Sequence, residues 1–462
     1  MSEHNELRSI LAGEVILPGD DSYEQARRVW NLDIDRRPAV IAMCENTADV
    51  SAAVKYANRR GLEMAVRSGG HNMPGLSVCD DGIVIDLSRL RGADFDRETG
   101  IFKAEAGLLL RDLDRETQEA GRVVPAGQVT NTGIAGLTLG GGFGYLSRKH
   151  GLTCDNLIAV ELVTADGEIR HVDDEADPEL MWGLRGGGGN FGIVTEFTYR
   201  SHPLTSVYSG WLVYPQDQAD TVMQTYRAVA NGAPRELCTI VQYRLPALKL
   251  PAELQGDGKD YLGIFIAWSG DSEEGARVVR PLQELRPLVD TVQTKTYREL
   301  QAEGDDFTTY SFRWYMRAGY LDDIPEELVT LATKHLAIAP STFCLISTFS
   351  LGGAIADVGE EDTAYSSRDA QYAFEVIAVW ADPAERETHV RWAREWAALI
   401  DRFTLGGVYV NMVAADEGAE RVRSLYGSGK YERMAALKAR MDPGNLLHLN
   451  QNVKPAAQVA PR

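Results

Sequence analysis

Three glycine-rich segments hold most of the chain's chemical potential. The first is Arg67-Ser68-Gly69-Gly70-His71-Asn72. Adjacent glycines let successive backbone N–H groups converge on an anion such as a pyrophosphate, with no Cβ in the way. The second covers residues 133–145 (GIAGLTLGGGFGY) and the third residues 186–192 (GGGGNFG). Gly187, Gly189 and Gly192 spell the spacing of a nicotinamide fingerprint. That fingerprint needs a helix after it, whereas here the strand-like run IVTEFTY follows. Three such loops in the first 192 residues point to a large phosphate-bearing cofactor. Two nucleophile-capable side chains lie close by, His71 in the first loop and Cys154 in residues 151–156 (GLTCDN). Cys44, Cys79, Cys238 and Cys344 have no comparable surroundings.

The elements that must position these loops alternate between strand and helix. Thr47 reads as the N-cap of a helix with Val50, Ala53, Val54 and Ala57 on one face, closed by Gly61. Strands are expected over residues 62–66 and 82–87, and a helix over 108–120. Residues 157–163 and 168–172 read as a hairpin turning at Ala165-Asp166-Gly167, and 193–199 as a half-buried strand. Beyond residue 205 the glycine clusters stop. Helices over 273–285 and 384–400 then alternate with strands over 238–243, 261–268, 343–351 and 372–380. This pattern suggests an antiparallel sheet covered on one face.

Composition narrows the function classes. At 462 residues, two domains are the default. A net charge of −20 disfavours a nucleic-acid partner, whose phosphates need Lys and Arg. No apolar run approaches the roughly 20 residues of a membrane span. The opening residues lack the basic-then-apolar pattern of a signal peptide, so a cytoplasmic location is expected. The five cysteines and eight histidines show neither a disulfide framework nor metal-ligand spacing. Oligomeric state is left open.

Taken in order, RSGGHN, GGGFGYLSRKHGLTCDN, WGLRGGGGNFGIVTEF and DPGNLLHLNQNV resemble the berberine-bridge-enzyme-like branch of the vanillyl-alcohol-oxidase flavoproteins, over nearly the whole chain. The resemblance implies an α+β, two-domain fold with a discontinuous FAD-binding domain and an antiparallel-sheet substrate domain. The segments would be residues 1–204, 205–410 and 411–462, the last returning to the FAD domain. It also implies FAD attached through His71 to the flavin 8α carbon and through Cys154 to C6. Further cofactor contacts would come from Arg67, Ser68, Gly69, Gly70, Asn72 and Ser77. Along the ribityl chain and ring they would come from Gly133, Gly136, Gly140, Gly141, Gly144 and Tyr145. Gly192, Ile193 and Val194 would lie at the adenine side or ring edge, with Asn450 and Asn452 closing over the flavin. Leu157 falls where the branch places a gate for oxygen.

On the substrate side, the positions charged in amine-oxidising relatives fall on Cys344, Ile346 and Thr348, which argues against a cationic amine. Glu375, flanked by Ala373 and Ile377, is the candidate base for deprotonating a C–OH group as hydride leaves for flavin N5. Many relatives carry a tyrosine base in a Tyr-x-Asn-Tyr segment. Here it reads Tyr409-Val410-Asn411-Met412, and Met412 cannot accept a proton. The base is then Glu375 or another tyrosine (Tyr315, Tyr320 or Tyr409), with Asn411 as a hydrogen-bonding residue. The expected activity is oxidation of an alcohol, hemiacetal or sugar-type carbon of a small molecule, with oxygen or another acceptor taking the electrons. A low-turnover flavin-binding protein and a cyclising amine oxidase are the alternatives.

Overall fold

The computed structural model describes residues 5–246, 250–255, 257–305 and 311–457. Its strands form four sheets among these residues. The first has Glu14–Ile16, Val40–Met43, Ile83–Asp86 and Met64–Arg67 in that spatial order, parallel except at Glu14–Ile16. Helix Thr47–Arg60 packs on it through Val50, Ala53, Val54 and Ala57. The N-cap is Asn46 rather than Thr47: its side chain accepts from the Asp49 N–H at 2.9 Å. Gly61 closes the helix at φ +62°, a backbone angle that glycine takes without steric cost.

The second sheet is antiparallel, in the order Ala93–Asp96, Ile101–Glu105, Ile193–Arg200, Leu157–Val163, Ile169–Asp173. A two-stranded ribbon pairs His202–Pro203 with Arg122–Val123. The largest sheet has eight strands and is built from residues 207–380. Its centre runs Val207–Pro215, Tyr261–Trp268, Leu237–Gln242, Leu345–Ser350, Tyr372–Trp380, Arg313–Leu321. Two of these, Val207–Pro215 and Arg313–Leu321, carry no simple strand signature. Gly210 interrupts one, and Arg313 and Arg317 break the apolar run of the other. Arg317 is accommodated because it pairs with Asp416 and Glu417 at 2.9 and 2.8 Å.

Side chains alternate across a strand, and this sheet buries both faces. One face packs beneath helices Ala219–Asn231, Ser272–Gln283, Glu326–Leu336 and Arg386–Ile400, forming a core with Tyr226, Leu282, Leu336 and Trp396. The other face turns toward the first half of the chain. The long helix Gly418–Met441 comes back to helix Pro178–Leu184. Lys438, fully buried, donates to Asn190 O, Leu447 O and the Asp442 carboxylate, each within 2.8 Å. The chain's last described residues are thereby pinned to the third glycine loop. No helix among the described residues is long and apolar enough to cross a membrane.

Candidate active site

A cavity of about 460 Å³ lies where the first half of the chain meets the open face of the large sheet. One wall is loop backbone. Strand Met64–Arg67 ends at a sheet edge, and the chain turns through Gly70 at φ +69°. Ser68, Gly69, Gly70, His71, Asn72 and Ser77 then line the cavity. The second loop passes so close that a Cβ on Gly69 would collide with the backbone of Gly133. Gly133, Gly136, Tyr145, Gly192, Ile193, Val194 and Asn450 also line the cavity, and Asn450 donates to Gly189 O at 3.0 Å. Gly136 and Gly188 present bare backbone: a Cβ on either would meet no protein atom within 4 Å. Their missing side chains leave room for a bound group.

Other residues expected at this wall serve packing instead. Arg67 turns away and pairs with Asp86 at 2.5 Å, anchoring the start of the loop. Side chains at Gly140, Gly141 and Gly144 would strike Asn411, the Tyr365 ring and Ala126 O respectively. Those three glycines let elements approach one another and do not line the cavity. Leu157 is buried at the start of its strand and Asn452 lies beyond the lining residue Gln451; neither reaches the cavity.

Cys154 is placed apart from the cavity. It is fully buried in the short turn Cys154–Asn156, behind the second loop, with its N–H donated to Gly141 O at 2.9 Å. Its thiol lies beside the Asp155 carboxylate, which is engaged at 2.7 Å by Arg368, and is not part of the cavity lining. Burial raises its pKa well above the usual thiol range, so the thiolate needed for attack is disfavoured. Proximity in the motif gave the right neighbourhood and the wrong direction for the side chain.

His71 has the opposite character. It lines the cavity with its ring stacked on Trp30 at 4.9 Å, and Trp30 stacks in turn on Trp314 at 4.5 Å. Burial lowers its pKa to about 4, against a smaller upward pull from the hydrogen bond with the Asn131 side chain. At neutral pH the imidazole is therefore uncharged and nucleophilic. Bare glycine backbone, a helix beginning at Ile134 and a neutral histidine in one cavity form a donor set that fits FAD.

The second wall is the large sheet. Leu345 and Phe349 line the cavity from one strand, Glu375 and Ile377 from the next. Ile346 and Thr348 therefore point to the helix-covered face. Ile346 and Cys344 belong to the core beneath the helices, and Thr348 meets the Tyr243 hydroxyl at 3.4 Å. The case against an amine from those three positions falls with that parity. Every residue of Leu345–Ser350 is buried, so apolarity does not mark which face is which. Residues without a sequence signal complete the wall: Trp211, Ile240, Gln242, Phe265, Trp314 and Met316.

Tyr409, Asn411 and Met412 line the cavity together. The Tyr409 hydroxyl donates to Leu137 O at 3.4 Å and accepts from Gly142 N–H at 3.1 Å and from Asn411 Nδ2 at 2.9 Å. Burial raises its pKa, which keeps the hydroxyl protonated and withholds the phenolate a base would need. Asn411 Nδ2 also donates to Gly136 O at 2.9 Å, so this pair braces the second loop. Tyr320 is buried against Tyr365 and Tyr315 is tied to Asp416. Neither is in the cavity lining.

The comparisons agree with this geometry. A family described as FAD binding domain matches residues 38–173, and one described as berberine and berberine like matches 408–454. An uncharacterized FAD-linked oxidoreductase of Bacillus subtilis is 30% identical, the alignment covering 96% of this chain and 97% of that protein. This chain is a berberine-bridge-like, FAD-linked oxidoreductase. An FAD-linked oxidoreductase of Dictyostelium discoideum is 29% identical over 98% of this oxidoreductase and 96% of its own length. The crystal structure of 6-hydroxy-D-nicotine oxidase from Arthrobacter nicotinovorans superposes with a TM-score of 0.87 at 25% identity, covering 96% of this oxidoreductase and 98% of that chain. The α+β vanillyl-alcohol-oxidase-like architecture expected from the motifs is the one this oxidoreductase adopts.

Proposed function

We propose that this oxidoreductase oxidises a hydroxyl-bearing carbon of a small molecule, of alcohol, hemiacetal or sugar type, using FAD attached through His71 alone. Residues 1–204 and 411–462 carry the cofactor in this reading, and 205–410 the substrate. Bound FAD supplies the two-electron acceptor, which oxygen or another acceptor reoxidises. His71 contributes a neutral ring nitrogen for the attachment, held by Trp30 and Asn131. The glycine loops supply backbone N–H groups for phosphate oxygens.

Glu375 takes the substrate's hydroxyl proton. Of the two carboxylates that line the cavity, Glu375 is the one carried by the large sheet. Glu375 sits mid-strand with only 6% of its surface exposed, between Ala373 and Ile377 on its own strand and opposite Ser347 and Ala318 on the neighbouring ones. The burial of this one carboxylate on the cavity face of the sheet carries the reading.

Two measurements test it. The denatured polypeptide should be heavier by one FAD, and Cys154→Ala should keep that added mass. Anaerobic mixing with a panel of alcohols, phenolics and sugars should bleach the flavin with at least one member. Glu375→Gln should slow that bleaching by about 10²–10⁴-fold. Colourless denatured protein contradicts the attachment. A panel without any bleaching favours a flavin-binding protein of low turnover.

A further inference from the structure

His71 draws little support for its ring from its own loop. Of the three residues before it, Ser68, Gly69 and Gly70, two carry no side chain, and Asn72 after it accepts from the Leu76 N–H at 2.8 Å. The outer torsion of a histidine is broad and roughly two-fold, so the backbone fixes where the ring is and leaves its plane open. Contacts from other segments settle that plane. Trp30 stacks on the ring with centroids 4.9 Å and planes 21° apart, and the Asn131 side chain shares a hydrogen bond with it.

Trp30 is held in turn by the large sheet. It stacks a second time, on Trp314 of strand Arg313–Leu321, at 4.5 Å and 25°. It is buried in an apolar cluster whose other buried members, Trp314, Met316, Leu345, Ile377 and Val379, all come from that sheet. Hydrogen bonds fix the same junction. The Trp30 N–H donates to Gly70 O at 3.1 Å, next to His71. The buried Asn31 side chain donates to Met73 O and Trp314 O and accepts from the Trp314 N–H, each at 2.9 Å. One short segment, residues 30–31, thus ties the loop carrying His71 to the opposite wall.

We infer that Trp30 is the positioning residue for covalent flavin attachment at His71, with Trp314 holding Trp30 in that role. The inference rests on the reading that FAD is attached through His71. In the attachment a ring nitrogen uses its lone pair to bond the flavin 8α carbon. A proton leaves that carbon for water. The electron pair of the broken C–H bond passes into the flavin and is removed by the oxygen or other acceptor that serves turnover. The second ring nitrogen then gives its proton to water, leaving the ring neutral. The lone pair lies in the ring plane, so a turned ring aims past the carbon, and a misplacement of about 1 Å costs on the order of 100-fold in rate. Because the stack begins on the large sheet, attachment is completed only in a molecule whose sheet has docked.

Trp30→Phe and Trp30→Leu test this, since both fill space but only phenylalanine keeps a flat face. Full-length protein from riboflavin-limited cells is saturated with FAD and sampled over time. Attached flavin is read from the mass of the denatured polypeptide, and bound but unattached flavin from what denaturation releases. At equal FAD occupancy, Trp30→Leu should attach flavin about tenfold or more slowly than Trp30→Phe. Trp314→Leu should slow attachment by less, and Trp211→Leu, at a cavity tryptophan stacked elsewhere on Phe265, should leave the rate unchanged. Equal rates for the two Trp30 variants overturn the positioning role, as does equal slowing in Trp211→Leu or loss of all FAD binding in Trp30→Leu. His71→Ala separates the two proposals. Attached flavin in that variant removes the His71 reading, whereas its absence beside a normal rate in Trp30→Leu removes the positioning role alone.

Discussion

The two walls of the cavity are built from different material. The loop wall is backbone, shaped by where side chains are missing: Gly69, Gly133, Gly136 and Gly188 either let loops touch or leave space. The sheet wall is side chain, and its chemistry depends on which alternate residues of each strand face inward. Glycines show themselves in a sequence by type. Parity in a strand buried on both faces does not, because Leu345 through Ser350 are buried to the same degree on either side. A cofactor common to many proteins can be gripped by backbone, whereas discrimination among substrates has to be written in side chains.

The contrast can be broken most sharply at His71. His71→Ala should abolish covalent flavin completely, read as loss of one FAD from the denatured mass, while Cys154→Ala leaves the mass unchanged. A flavin that stays attached in His71→Ala sinks the picture of a loop wall with one nucleophile.

Asp114 probes the seam between the walls. It is buried in helix Leu110–Gln118 beneath Gln301, which donates to both its carboxylate and Gly127 O at 3.1 and 3.0 Å. Burial pushes its pKa up to about 7 from 3.8. A carboxyl that binds its proton more tightly when folded costs stability as pH rises from the unfolded value through the folded one. Asp114→Asn should therefore leave stability nearly unchanged near pH 4 and raise it by about 1–4 kcal/mol at pH 8. Thermal melts at the two pH values decide it, and a gain of equal size at both contradicts the assignment.

A smaller effect separates two glycines of the same loop. Gly133→Ala forces a Cβ against Gly69 N and Ser68 Oγ and should destabilise by about 1–3 kcal/mol. Gly136→Ala meets no protein atom and should change apoprotein stability by less than about 0.5 kcal/mol while lowering the stabilisation that FAD adds. Melts with and without FAD distinguish the pair; equal losses in the apoprotein would erase the difference between a packing glycine and a cradle glycine. The smallest effect belongs to the sheet's hidden face. Thr348→Val should cost about 1 kcal/mol through the lost Tyr243 contact and leave substrate KM where it was. A several-fold change in KM would mean that the parity of this strand has been misjudged.

Legibility followed the same division. The glycine loops, the cavity positions of His71 and Glu375 and the hairpin near Gly167 were readable, because each is marked by residue type or by turn chemistry. For Cys154 the motif marks only a neighbourhood, whereas the turn Cys154–Asn156 sets the direction of the thiol. Ile346 and Thr348 were misread because a one-residue shift exchanges faces and both faces of that sheet are apolar. Trp30, Trp314 and Gln242 carried no local signal at all. They meet only through pairings across the chain, such as the bonds from Asn31 to Met73 and Trp314 at 2.9 Å that seat the neighbouring Trp30.

Buried Lys438 holds Leu447 and the Asn190 loop together, and Leu447, Leu449, Asn450 and Gln451 close the cavity. The vessel for the cofactor is therefore closed only when residues 447–451 have joined the third glycine loop, far along the chain from the loops that form its other side. Folding of residues 1–204 alone leaves that side open, so a polypeptide truncated before residue 447 should hold flavin less firmly however well its first half has folded.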